Sequence, residues 1–274
     1  MGIKFKGIHS DTIPAVWKTI RRPILPTPKT YSVSLPEADS EYDFSEFNED
    51  GRLHYNDRVI EGTLTVVSTG MYGLQKTLTR LAKWLIGGWG ELEFDDMPGT
   101  VWTAKIENVE QVQYELGKAG IATVYFRTKP FSKLMIDSDT GGILLESSTP
   151  IEANLPLDLD INKSYSFSNN TVLQHENYGD WYTKPIFTIT GTYDYIELQC
   201  NGKSFRYEGG STSGQTVIID CNKFITTKNN VNDSINTVGD YFEFIPGTNE
   251  ITIQTNGTGQ ISIKTNFNYI YGVV

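Results

Sequence analysis

The sequence predicts a mainly β protein in two domains, the first mixing strands with one packing helix and the second a β-sandwich. Three observations predict it. Aromatic residues are 12% of the 274 residues, with fifteen Tyr, thirteen Phe and five Trp, a composition that favours strands. Leu74, Leu78, Leu81 and Leu85 recur at steps of four, three and four, the spacing of one helix face. Beyond residue 160, short β-branched runs alternate with turn residues at close intervals, the pattern of a two-sheet sandwich.

The division into two domains rests on a shift in composition near residue 130. Residues 1–130 carry 15 Lys/Arg and 17 Asp/Glu, a balance of −2. Residues 131–274 carry 8 and 16, a balance of −8. Asn rises from three to fifteen across the same point, and four of the five Trp precede residue 103. The expected domains are therefore 1–132 and 133–274.

In the first domain, Pro14, Pro23, Pro26, Pro28 and Pro36 suppress helix and predict an extended arm over residues 13–36. Arg58–Val67 is β-branched and reads as a strand. Ser68 or Thr69 is placed to cap the helix Met71–Ile86, and Gly87-Gly88 to end it, since glycine accepts the left-handed position past a helix terminus. Glu91–Phe94, Val101–Val112 and Ile121–Arg127 follow as strands, with Lys118-Ala119-Gly120 in the turn before the last. Residues 128–156 hold Lys129-Pro130, Gly141-Gly142, Thr149-Pro150 and Leu155-Pro156, and read as a linker.

The second domain offers strands at Ser164–Ser168, Ile186–Thr190, Tyr195–Cys200, Lys203–Tyr207, Thr216–Asp220, Tyr241–Ile245, Glu250–Gln254 and Gln260–Lys264. Asn201-Gly202 predicts a type I′ hairpin, because both residues tolerate positive φ. Pro246-Gly247-Thr248-Asn249 and Asn256-Gly257 mark two further turns. Ile251, Ile253, Ile261 and Ile263 alternate at period two, so one face of each sheet is buried.

Charge and motifs bound the function. The net charge is −10 with a pI near 4.8, which disfavours a nucleic-acid partner. No run reaches the roughly 18 apolar residues of a membrane-spanning helix. The opening MGIKFKGIHSDTIP lacks the apolar core of a signal peptide, so folding in a cytoplasm is expected. There Cys200 and Cys221 are expected as buried thiols, a disulfide between neighbouring strands being the alternative. His9, His54 and His175 stand at no metal-ligand spacing, and HExxH, GxSxG, GxGxxG and GxxxxGK[ST] are all absent. No catalytic, cofactor-binding or metal-ligating residue is assigned.

Three features remain as candidates. Glu37, Asp39, Glu41, Asp43, Glu46, Glu49 and Asp50 place seven carboxylates within fourteen residues without a Lys or Arg, and they repel one another unless screened. The run reads as a solvated protruding loop, as a cation or basic-partner contact, or as catalytic carboxylates. An EF-hand is disfavoured because Phe44 stands where its invariant glycine belongs. Asp95-Asp96, with Glu91 and Glu93 nearby, offers a carboxylate pair of the kind a glycosidase uses, but Asp95-Asp96-Met97-Pro98-Gly99 is composed of turn formers and reads in preference as a hairpin turn. Trp181 and Tyr182 read as a sugar-stacking platform or as cover for a sheet edge.

Several ordered blocks together resemble the distal tail protein (Dit) family of siphophages. They are Phe5–Ile13 (FKGIHSDTI), Arg22–Pro26 (RPILP), Arg58–Val66, Leu81–Phe94 (LAKWLIGGWGELEF) with Asp95-Asp96-Met97-Pro98, and Gly120–Phe131 (GIATVYFRTKPF). In the second domain Asn177-Tyr178-Gly179, Lys184–Gly191 (KPIFTITG), Val217–Asp220 and Gly239–Ile253 (GDYFEFIPGTNEITI) continue the series. There is one large departure. The family often has a glycine-rich loop after its Leu-Pro segment, whereas here Leu35-Pro36 leads into the acidic run.

The resemblance implies an N-terminal β-sandwich-like domain with one helix, and a C-terminal galectin-like β-sandwich. It implies a structural protein of the virion, at the phage tail tip, assembled in the host cytoplasm and not an enzyme. The N-terminal domains would form a homohexameric ring. That ring would join the tail tube protein to the baseplate, to a tail-associated lysin or fibre protein, or to a receptor-binding protein. Glu37, Asp39, Glu41, Asp43 and Glu46 would then form an inter-subunit or lumen loop. The competing expectation is a carbohydrate-binding module contacting the host surface through Trp181 and Tyr182.

Overall fold

The computed structural model describes residues 2–37, 39–45, 52–68, 70–110, 113–115, 119–135 and 161–272. The chain divides into two compact units, residues 2–132 with 270–272, and residues 133–269.

The first unit is built on one antiparallel sheet. Its order is Ile8–His9, Ile3–Phe5, Gly90–Phe94, Thr100–Val109, Ala119–Thr128, Arg58–Val67 and Ala15–Arg21. Strict alternation along Arg58–Val67 turns Ile60, Leu64 and Val66 inward, all fully buried. The sheet curls on itself. Trp17 and Phe94 lie on strands four places apart, about 19 Å in a flat sheet, yet their ring centroids are 6.1 Å apart. Phe5 and Phe126, three places apart, meet at 5.2 Å. This closure gives a β-sandwich-like body around one core.

The helix Met71–Leu85 buries Leu74, Leu81, Trp84 and Leu85 against that core, with Leu78 half-buried beside them. Trp84 Nε1 donates to the Phe5 carbonyl at 3.0 Å, so the helix is also pinned to the first strand. It ends as expected at Gly87, whose φ is +117°.

Four local expectations change. Gly70 is the N-cap, and no side chain caps the helix; Thr69 lies outside the described residues, and the Ser68 hydroxyl packs against Gly73 instead. Ala119 and Gly120 belong to a strand and not to the turn before it; Lys118 lies outside the described residues. Ala15–Arg21 is a strand paired with Arg58–Val67, so the arm starts only at Arg22. The strand read as Val101–Val112 ends at Val109, with Val112 outside the described residues. The linker reading falls largely on residues 136–156, also outside them.

The second unit is a sandwich of two antiparallel sheets. One runs in the order Asn162–Phe167, Thr258–Lys264, Ile186–Thr192, Thr216–Asp220, Ile225–Lys228 and Val231–Asn232. The other runs Thr171–Asn177, Gly247–Thr255, Ile196–Cys200, Lys203–Tyr207 and Thr237–Gly239. Ile251 and Ile253 lie on one sheet, Ile261 and Ile263 on the other, and all four are fully buried in one core. The Asn256-Gly257 turn therefore carries the chain from sheet to sheet. Asn201 and Gly202 adopt φ of 51° and 76°, as a type I′ hairpin requires. Tyr241–Ile245 is not a ladder strand: only Phe244 forms a bridge, to Thr183. Phe242 and Phe244 nevertheless fill the core, which explains the strand-like pattern.

Candidate functional site

The residues that leave the first unit's core form an extended arm ending in a small hairpin. Its base is held by Arg58, at the start of a core strand and only 3% exposed. The guanidinium donates to the carbonyls of Pro23 at 3.1 Å and Ile24 at 3.0 Å, to that of Pro130 at 2.7 Å, and to that of Ile270. It also stacks over Trp102, 5.0 Å from the ring centroid. Burial lowers its pKa to about 10, so the side chain stays cationic at neutral pH. Lysine could not replace it, because a planar fork reaches four separate carbonyls. Arg22 adds a second anchor, an ion pair to Asp96 at 2.9 Å, with its guanidinium 4.2 Å from the centre of the Phe94 ring.

Beyond the clamp the arm is tied to residues 54–56 by Lys29 N–H to the His54 carbonyl (2.7 Å) and Asn56 N–H to the Thr27 carbonyl (2.9 Å). Ser32–Val33 then pairs with Tyr42–Asp43. Glu37, Asp39, Glu41 and Asp43 all lie on this hairpin and its turn and are exposed; Glu46 lies outside the described residues. Glu41 accepts from the Ser32 hydroxyl at 2.6 Å. Asp43 accepts from the hydroxyl and the backbone N–H of Ser45, and these bonds lower its pKa. Tyr31 and Phe44 stack across the hairpin base at 6.2 Å. Among the described residues, no group of three or more His, Cys, Asp or Glu is disposed to hold a metal ion.

Asp95 and Asp96 sit in the predicted hairpin turn, closed by Met97 N–H to the Phe94 carbonyl at 3.0 Å. They fasten other segments. Asp96 holds Arg22, and Asp95 binds the Gly2 N–H and, at 3.1 Å, His9 Nε2. Partial burial raises the Asp95 pKa, but these hydrogen bonds outweigh it and lower the net value.

In the second unit, Trp181 and Tyr182 are both half-buried and meet edge to face, with centroids 5.5 Å apart. Asn268 fixes the pair's backbone, accepting from Trp181 N–H at 3.1 Å and donating to the Tyr182 carbonyl at 2.8 Å. His175 is buried, between the Tyr165 hydroxyl on Nδ1 (3.1 Å) and the Thr265 hydroxyl on Nε2 (2.8 Å). Cys200 and Cys221 are free, buried thiols. Burial pushes their pKa values up to about 11 and about 12. Among the described residues no helix is long and apolar enough to cross a membrane.

From the sequence the acidic run reads as a protruding loop, and its described part proves to be an exposed hairpin and turn; the Asp95-Asp96 turn forms as expected, and the Arg58 clamp was missed. Its partners, at 23, 24, 130 and 270, leave no local signal.

The family model described as the siphovirus-type tail component, C-terminal domain, matches residues 178–269. No curated protein sequence matches. Among solved structures, the crystal structure of SPP1 Dit superposes with a TM-score of 0.67 at 13% identity, covering 96% of this chain and 98% of that one. SPP1 Dit is described as a paradigm of the hub adsorption apparatus in phages infecting Gram-positive bacteria. The activated phage P2 baseplate aligns at a TM-score of 0.43 and 8% identity over 94% of this chain and 92% of that one, too weak to argue from. Through the family match in its second domain and a shared fold along nearly its whole length, the chain resembles the siphophage distal tail proteins.

Proposed function

We propose that this chain is a structural component of a phage tail tip, whose first domains close into a hexameric ring. In that role it is a hub linking the tail tube protein to the baseplate, to a tail-associated lysin or fibre protein, or to a receptor-binding protein. The observation that carries this reading is the fold shared with SPP1 Dit over 96% of the chain. Features of the first domain support it. A ring needs head-to-tail contacts between two different surfaces. The strand Ala15–Arg21 ends its sheet, with Val16 and Ile20 more than half exposed, and such edges recruit further chain. The hairpin arm supplies a second protruding surface. The acidic charge fits a part that must not bind the genome passing it. The protein serves as scaffold and not as catalyst in this reading.

The test is the mass of the purified protein by light scattering over a concentration series, with negative-stain images of the same sample. Six-fold rings with a central hole are expected. Closed assemblies of another symmetry would overturn the hexamer.

A further inference from the structure

The first unit carries an open apolar groove of about 420 Å³, lined by Leu78, Ala82, Leu85, Ile86, Val109 and Ala122 among others. Ile86 and Val109 are 77% and 40% exposed. Two lysines stand at its rim. Lys6 Nζ sits at the mouth, donating to the Ile86 carbonyl at 3.1 Å. On the helix Met71–Leu85, which has no carboxylate, Lys83 neighbours Ile86 at the groove's rim three residues away, while Arg80 is turned away onto the Thr12 carbonyl at 2.9 Å.

The hairpin arm is its complement in both respects. Leu35 and Tyr42 are 48% and 54% exposed, and Glu37, Asp39, Glu41 and Asp43 flank them. No Lys or Arg occurs from residue 30 to residue 51. The arm does not fill its own groove: among the described residues, none of 22–45 lines it. Its base is fixed at Arg58, which pairs with Thr128, whereas Ala122 in the groove pairs with Leu64. Six residues separate these positions along the strand, about 20 Å.

We propose that the hairpin arm of one copy seats in the groove of the next copy. Leu35 and Tyr42 enter the apolar slot, and the hairpin carboxylates face Lys6 and Lys83. One chain thus carries an acidic plug and a cationic socket at separated places. A contact between two unlike surfaces propagates from copy to copy and closes when the rotation permits. This deepens the ring reading above and rests on it.

Two variants of the full chain separate the halves of the contact. Ala82→Glu puts a carboxylate in the socket and leaves the arm intact. Leu35→Ser with Tyr42→Ser strips the plug and leaves the socket intact. All three positions are exposed, so circular dichroism and melting temperature should match the parent. Each variant alone should raise the dissociation constant of self-association about thirtyfold or more, as for a central interface residue. Mixed one to one, they should form a heterodimer and stop, since that pair retains one working plug and one working socket. Analytical ultracentrifugation reads all of this. Parent and variants assembling alike would overturn the docking and leave the ring standing. Folded variants that lose assembly but give no dimer on mixing would also overturn the docking alone. A parent that stays monomeric at every concentration would overturn both.

Discussion

His175 gives the second domain a pH-dependent stability whose size follows from its surroundings. The ring is 3% exposed, held between two hydroxyls and against Phe244 at 5.3 Å. Burial, with a smaller contribution from Lys163, lowers its pKa from 6.5 to about 4. Between those values the unfolded chain binds a proton that the folded chain refuses, so folding loses stability as the pH falls. The full stability is present above 6.5, declines on the way to 4 and levels off below it. At roughly 1.36 kcal/mol per pH unit, the loss by pH 5 comes to about 2 kcal/mol. Urea unfolding at steps from pH 7.5 to 5 checks it, on the parent and on His175→Gln. Circular dichroism follows both domains, whereas Trp fluorescence reports mainly the first, which holds four of the five Trp. The variant should start less stable at pH 7.5 and should lack the decline assigned to the histidine. Parallel pH profiles for parent and variant would refute the argument.

Three further outcomes are expected. Arg58→Lys should destabilise the first domain by about 3 kcal/mol, because buried carbonyls lose charged donors; chemical denaturation measures it. Gly62→Ala should cost roughly 1–3 kcal/mol by overpacking, since a Cβ there would lie 2.1 Å from Trp17 Cζ2; a lowered melting temperature with quenched or shifted Trp emission would report it. Cys200 and Cys221, with pKa values raised to about 11 and about 12, should resist a thiol-specific chromogenic reagent at pH 8 until denaturant is added, and then release two equivalents.

Short-range physics is legible in the residues themselves. The leucines at 74, 78, 81 and 85 define the buried helix face, and Asn201-Gly202 defines a hairpin whose strands pair in the expected register. What escapes such a reading has physical causes. Pro14 and Pro23 bracket Ala15–Arg21, and a strand between prolines reads as an arm; pairing with Arg58–Val67 overrides that signal. Thr171–Asn177 and Ile225–Lys228 are polar enough to read as loop, and only their neighbours make them strands. Tyr241–Ile245 shows the converse, since its aromatic alternation reflects burial without a ladder. The groove beside the helix leaves no pattern in the sequence, because its walls come from segments some 20 to 40 residues apart.

The Arg58 clamp has an architectural consequence. The chain leaves the first unit after Ser132 and rejoins it at Ile270. Arg58 grips the carbonyls of both Pro130 and Ile270, so the exit and the re-entry lie within one guanidinium's span. The 137 residues from 133 to 269 therefore behave as a cassette spliced into a loop whose two ends are already side by side. Different cassettes could occupy that opening while the same base persisted beneath them, and a short glycine-containing bridge in their place would leave the clamp's partners where they are. Selection could thus vary what the second domain offers without re-solving the folding of the first.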